Sequence, residues 1–94
     1  MPVIWLPRAV TDLEALVAFI GADSPLLAQR VLDAVLNQVH KLSDFQALGR
    51  PGRVSGTREL VVPHVHYLVV YTVFDDAIRI LRVFHPSQRW PELL

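Results

Sequence analysis

Cysteine is absent from this 94-residue chain, which removes disulfide staples, thiolate metal sites and cysteine nucleophiles together. Stability must then come from packing, and a reducing cytoplasm fits that composition. Net charge is absent as well. Nine basic side chains balance nine acidic ones, so no global field draws in a polyanion, which counts against indiscriminate nucleic-acid binding. Long apolar runs are missing: none approaches the roughly 18 residues needed to span a bilayer, and Met1-Pro2-Val3-Ile4-Trp5 opens without a basic segment ahead of an apolar one. These absences predict a soluble, unexported, cytoplasmic protein without membrane contact. No Walker pattern and no G-x-G-x-x-G after a strand occurs, and no serine sits in a nucleophile elbow. Nucleotide-dependent and covalent-hydrolase chemistry therefore lack their usual starting groups, and no cofactor is expected.

What the chain does have is apolar substance. Apolar residues make up 52% of it and its mean hydropathy is +0.35, far from the composition of disordered chains. A chain this short supports one core, so residues 1–94 are expected to form a single domain. Neither a repeat nor an interdomain linker interrupts it.

Val3-Ile4-Trp5-Leu6 is a β-prone run halted by Pro7, which suits a strand at or near a sheet edge. From Ala9 to about Ile20 the apolar positions Ala9, Leu13, Leu16, Val17 and Ile20 recur at helical spacing. Gly21 is placed to end that helix, and Ser24-Pro25 to cap and open a second. In the second, Ala28, Val31, Leu32, Val35, Val39 and Leu42 share a face. The stretch from Gln46 to Gly56 holds three glycines and a proline and reads as loop throughout. Thr57–Val62, His66–Phe74 and Ala77–Phe84 then read as successive antiparallel strands, with Arg79 and Arg82 marking a solvated part of one face. The order β-α-α-β-β-β predicts an α+β fold: a helical hairpin packed on one face of a small, curved, mainly antiparallel sheet whose other face is partly open.

Four histidines are present, but His40, His64, His66 and His85 do not fall at metal-ligand spacing; no metal is expected, and His64-Val65-His66 reads as a polar turn. The chemically interesting set is Arg50, Arg53, Arg58, Glu59, Tyr67, Arg82, His85, Arg89 and Trp90, many of which the order of strands brings toward one end of the sheet. Metal-free RNA cleavage needs a base for the 2′-hydroxyl proton, cations for the phosphorane and an acid at the leaving oxygen, and Glu, Arg and His supply those roles. Arg58, Arg82 and His85 are the catalytic candidates on that reading. Arg50, Arg53, Arg89 and Trp90 are candidates for anion or target binding. On the structural alternative, Arg58 and Glu59 are exposed strand-edge charges, Tyr67 and Tyr71 pack the sheet, and Trp90 closes the core.

W-L-P-R-A-V-T-D-L at Trp5 to Leu13, L-G-R-P-G-R-V-S-G-T-R-E-L at Leu48 to Leu60, Y-L-V-V-Y at Tyr67 to Tyr71 and I-L-R-V-F-H-P-S-Q-R-W-P at Ile80 to Pro91 together resemble the RelE/ParE toxin superfamily over nearly the whole chain. The resemblance implies the toxin of a type II toxin–antitoxin pair, a growth inhibitor neutralised by a cognate antitoxin whose C-terminal segment folds along it. It implies that operator DNA is bound only through the antitoxin. RelE-like members cleave mRNA on the ribosome, whereas ParE-like members poison DNA gyrase without being nucleases. Nuclease members carry arginine in a Y-R-L-V-Y strand where this chain has Leu68, and they are strongly basic where this chain is neutral. The balance favours a ParE-like gyrase inhibitor with no catalytic residues of its own. The alternatives are a ribosome-dependent endoribonuclease, or a degenerate module that only binds antitoxin.

Overall fold

The computed structural model describes residues 1–88. Seven elements follow one another: β1 (Val3–Trp5), α1 (Pro7–Asp23), α2 (Pro25–Lys41), β2 (Arg50–Pro51), β3 (Arg58–Val61), β4 (Leu68–Phe74) and β5 (Ala77–Phe84). The five strands form one sheet in the order β1-β5-β4-β3-β2. β1 lies parallel to β5 at one edge, and every other pairing is antiparallel. The α+β architecture is therefore the one expected, with one strand more. Arg50–Pro51 is not loop: it pairs with Glu59 and Arg58 as a two-residue edge strand, an arrangement that its glycine-rich surroundings conceal.

Both helices open on proline at the first turn, where the missing N–H costs nothing. At the start of α1, Leu6 donates its N–H to the Ile80 carbonyl, 3.0 Å, so the edge strand hands over to the helix without a gap. Gly21 does not end α1. The helix runs through it to Asp23, and a Cβ there would meet Ala28 Cβ at an ordinary 3.6 Å. Ser24 performs the turn instead. Its N–H donates to Ile20 O (2.9 Å) and its carbonyl accepts from Ala28 N (3.0 Å), while its Oγ accepts from Leu27 N (3.1 Å). One residue thus closes α1 and caps α2.

The helical hairpin buries Ala9, Val31, Val35, Val39 and Leu42 against Leu60, Val62, Tyr67, Val69, Tyr71, Ile78, Ile80 and Val83 of the sheet side. A smaller cluster of Leu68, Val70 and Phe84, joined by Val54 and Leu81, covers part of the opposite face. Alternation along β5 fails for a physical reason: Val70 is opposite Arg82 but Tyr71 is opposite Ile80, leaving Leu81 as an extra residue. That bulge switches the face on which later residues lie, so Ile78, Ile80 and Val83 all join the helix-side core. β4 and β5 meet in a two-residue turn in which Asp75 and Asp76 both take positive φ, 53° and 55°, as a tight hairpin requires. β4 begins at Leu68, and His64-Val65-His66 forms the turn before it, with φ of 70° at His64 and 61° at His66.

Candidate functional site

Arg82 illustrates how far the chemistry moves once the chain is folded. It is not solvated: it is buried, and its guanidinium grips Asp12 of α1 through Nε–Oδ2 at 2.7 Å and Nη2–Oδ1 at 3.1 Å. The same Asp12 Oδ2 accepts the Val83 N–H at 2.9 Å. Asp12 therefore closes the edge of β5 beyond the end of β1, and Arg82 holds Asp12 there. The guanidinium also lies 4.7 Å from the Phe84 ring centroid. This is a fastening between the first helix and the last strand, with fork geometry suited to a carboxylate.

Glu59 corrects the expectation of an exposed edge charge, because its side chain is only 1% exposed. It accepts from Arg50 Nη2 at 3.1 Å, from Arg53 Nε and Nη2 at 3.2 and 3.0 Å and from the Arg53 backbone N–H at 2.8 Å. A buried carboxylate requires such partners, and this one ties the segment after β2 onto the sheet. Two guanidiniums share one carboxylate, and both keep about half their surface in solvent, 59% and 52%. Arg50 and Arg53 thus retain an outward-facing positive excess.

Arg58 lies opposite Tyr71, whose ring belongs to the helix-side core, and its Nη1 donates to Gly49 O at 2.7 Å. Tyr71 locks the same loop from the same side: its hydroxyl donates to Gln46 O at 2.8 Å and accepts the Gly49 N–H at 2.9 Å. Burial pushes the Tyr71 phenol above its ordinary 10.0, against the lowering by the Gly49 hydrogen bond and the Arg58 charge. Gly49 must be glycine here, because a Cβ would stand 2.8 Å from the Tyr71 ring and 2.9 Å from the Glu59 carbonyl.

His85 is exposed at the far end of β5. Its Nδ1 accepts the Ser87 N–H at 3.1 Å and lies 2.7 Å from Ser87 Oγ, so the neutral ring carries its proton on Nε2. The ring tilts against Tyr67, with centroids 5.4 Å apart, and burial raises the Tyr67 phenol.

The sheet does not bring the three catalytic candidates together. Arg58 shares a face with Tyr71, whereas Arg82 is opposite Val70 and so lies on the other face. His85 follows Phe84, which is level with Val61 at the opposite end of β3 from Arg58. The strand steps and spacings between Arg58 and His85 put their backbones roughly 16 Å apart. The expected gathering at one end of the sheet is therefore corrected: Arg50 and Arg53 share Glu59, Arg58 lies on the other face of the sheet beside Tyr71, Arg82 is bound to Asp12, and His85 is remote. Arg89 and Trp90 lie outside the described residues. Among the described residues, no group of three or more His, Cys, Asp or Glu is placed to hold a metal ion, and no helix is long and apolar enough to cross a membrane. Sequence reading missed Asp12, whose partner is 70 positions away, and it missed the Tyr71–Gly49 lock.

A two-helix hairpin on a five-stranded mixed sheet, with basic groups distributed over it, defines an α+β fold of the toxin type. The model of the ParE toxin of the type II toxin–antitoxin system parDE matches residues 3–90, and the chain belongs to that family, within the RelE/ParE superfamily of toxins. It is 39% identical over 90 residues to the Sinorhizobium fredii protein Y4kP, covering 96% of this chain and 93% of that one. It is 33% identical over 86 residues to toxin RelE2 of Caulobacter vibrioides, covering 92% and 96%. A solved structure of the chromosomal ParDE system from P. aeruginosa superposes with a TM-score of 0.79 at 27% identity, covering 90% of this chain and 95% of that one.

Proposed function

We infer that this type II toxin arrests growth by binding DNA gyrase through a protein surface, without cleaving RNA. The observation that carries this reading is the dispersal of the candidate phosphate-handling groups. Arg58 and Arg82 face opposite sides of the sheet, Arg82 is committed to Asp12, and His85 stands roughly 16 Å along from Arg58. A phosphorane needs its cations and its acid and base within hydrogen-bond reach of one small group. Leu68 and the absence of net charge point the same way.

The toxin acts in the cytoplasm, and a cognate antitoxin neutralises it. We place apolar antitoxin contact on the side of α1 next to β5, where Phe19 is 79% exposed beside a groove of about 300 Å³ bordered by Ala15, Leu16 and Val83. Operator DNA is contacted through the antitoxin. The direct test is supercoiling by purified gyrase in the presence of the purified toxin. The expected result is inhibition that antitoxin relieves; unchanged supercoiling, with cleavage of mRNA on translating ribosomes, would replace this reading by the endoribonuclease one.

A further inference from the structure

Most arginines that the sequence offered for catalysis or target binding have partners within the molecule: Arg50 and Arg53 with Glu59, Arg58 with Gly49 O, Arg82 with Asp12. Basic groups without such partners gather elsewhere. A groove of about 610 Å³ runs between the C-terminal part of α2 and the turn joining β3 to β4, bordered by apolar Ala34 and Val62, by Asn37, and by His40, Lys41 and His64. Among the described residues no carboxylate lines it, and none of His40, Lys41 and His64 makes a side-chain hydrogen bond or ion pair. Ala34, Asn37 and Lys41 share a helix face with Arg30, one turn back from Ala34. Arg30 is likewise unpaired among the described residues, so the basic strip reaches from Arg30 to Lys41, about 16 Å along the helix axis.

The helix dipole accounts for part of this. Lys41 occupies the last turn of α2, where cations are favoured. It accounts for neither Arg30, near the opposite end of the helix, nor His64, which approaches from another element with its backbone in the left-handed region at φ 70°. Among the described residues Lys41 is the one formal charge in the lining and Arg30 the next along the strip, while Asp33 and Asp44, each three residues from one of them, lie outside the lining. A concave surface with apolar walls and no carboxylate of its own is complementary to a carboxylate-bearing peptide.

We propose that the groove between α2 and the β3–β4 turn is a docking site for an acidic segment of the cognate antitoxin, with Arg30, Lys41 and His64 meeting its carboxylates. This rests on the toxin–antitoxin assignment and not on the choice of gyrase as target. It makes the antitoxin's grip two-part. Apolar burial beside Phe19 of α1 holds the complex, and the α2 groove sets the register of the chain and speeds encounter, as charge complementarity does at interfaces.

The test is the affinity of full-length toxin for the antitoxin encoded beside it, measured for wild type and for an Arg30→Glu/Lys41→Glu variant at roughly 0.05 M and 0.5 M salt, where screening differs several-fold in range. Both side chains are exposed, and circular dichroism confirms that the variant is folded. A photo-crosslinker placed at Asn37 reports occupancy independently. The expected result is a variant weakened about tenfold or more at low salt, a gap that closes at high salt, and a crosslink from Asn37 to an acid-rich stretch of antitoxin. Equal affinities at low salt, or a crosslink confined to an apolar stretch, would overturn the proposal while leaving the partner assignment intact. Failure of wild-type toxin to bind this antitoxin would overturn both, and neither outcome depends on gyrase.

Discussion

Asp12 and Arg82 carry the strongest residue-scale consequence of the fold. Their side chains are 16% and 11% exposed, so removing one leaves the other as an uncompensated, largely buried charge. Asp12→Ala is expected to cost about 3 kcal/mol, read from urea unfolding midpoints; an unchanged midpoint would contradict the fastening. Tyr71 makes a second prediction. Its raised pKa, like that of Tyr67, has burial as its main cause. The folded state therefore holds the phenolic proton more tightly than the unfolded chain does. The stability this contributes is fully present below about pH 10 and is lost as pH rises through the raised folded value. Ionisation would also end Tyr71's donation to Gln46 O. Tyr71→Phe should lower stability at pH 7 by about 1–3 kcal/mol, by stranding the Gly49 N–H, and should flatten the decline between pH 9 and 11 in parallel denaturation series; an unchanged alkaline slope would contradict it. Neither role was legible in the sequence. Arg82 looked solvated because it was read together with Arg79 as a charge on an open face, with nothing in β5 showing the Asp12 carboxylate that binds it, and Glu59 looked like an edge charge because nothing in its own strand shows the arginines of the preceding segment folding over it.

Elements were far more legible than their fastenings, because hydrophobic period and turn residues act locally while ion pairs join distant positions. The two helices and the strands β3 to β5 follow the spacing of Val35, Val39, Val69 and Ile78, residues now fully or nearly fully buried. What escaped was punctuation. Gly21 reads as a helix end, yet helix continues through it because Ser24, three residues later, supplies both the closing N–H and the opening Oγ. Arg50–Pro51 reads as loop, yet it forms an edge strand because Glu59 anchors Arg50 and Arg53 on either side. The helix junction yields a measurable expectation. Ser24→Ala removes the cap of α2 but keeps the backbone bonds of the turn, so it should cost about 1 kcal/mol, visible as a small shift in unfolding midpoint with toxicity retained. Ser24→Asp, which preserves an accepting oxygen, should restore the midpoint; a variant as weak as the alanine one would assign the turn to Pro25 and Gly21 instead.

For the whole molecule, the sheet separates what a nuclease would need to combine. One face packs the helices and holds Arg58 beside the Tyr71 lock, the other carries Arg82 against Phe84, and His85 sits at the far end. The family and fold were legible in the chain, since the motifs that carry the resemblance between Trp5 and Phe84 fall on the elements that make the fold. The absence of a common site for the candidates was not, because strand order is fixed by pairing and faces by the bulge at Leu81. On this account His85→Ala keeps full toxicity in a plating assay with induced expression, as it removes neither a target contact nor a fastening; loss of toxicity in a stably folded variant would return His85 to the chemistry. The central claim, a gyrase target, is tested most directly by inducing the toxin alone in bacteria and pulse-labelling DNA and protein synthesis in parallel within minutes of growth arrest. The account predicts that DNA synthesis falls first while translation continues; an immediate fall in protein synthesis with replication still running would contradict it.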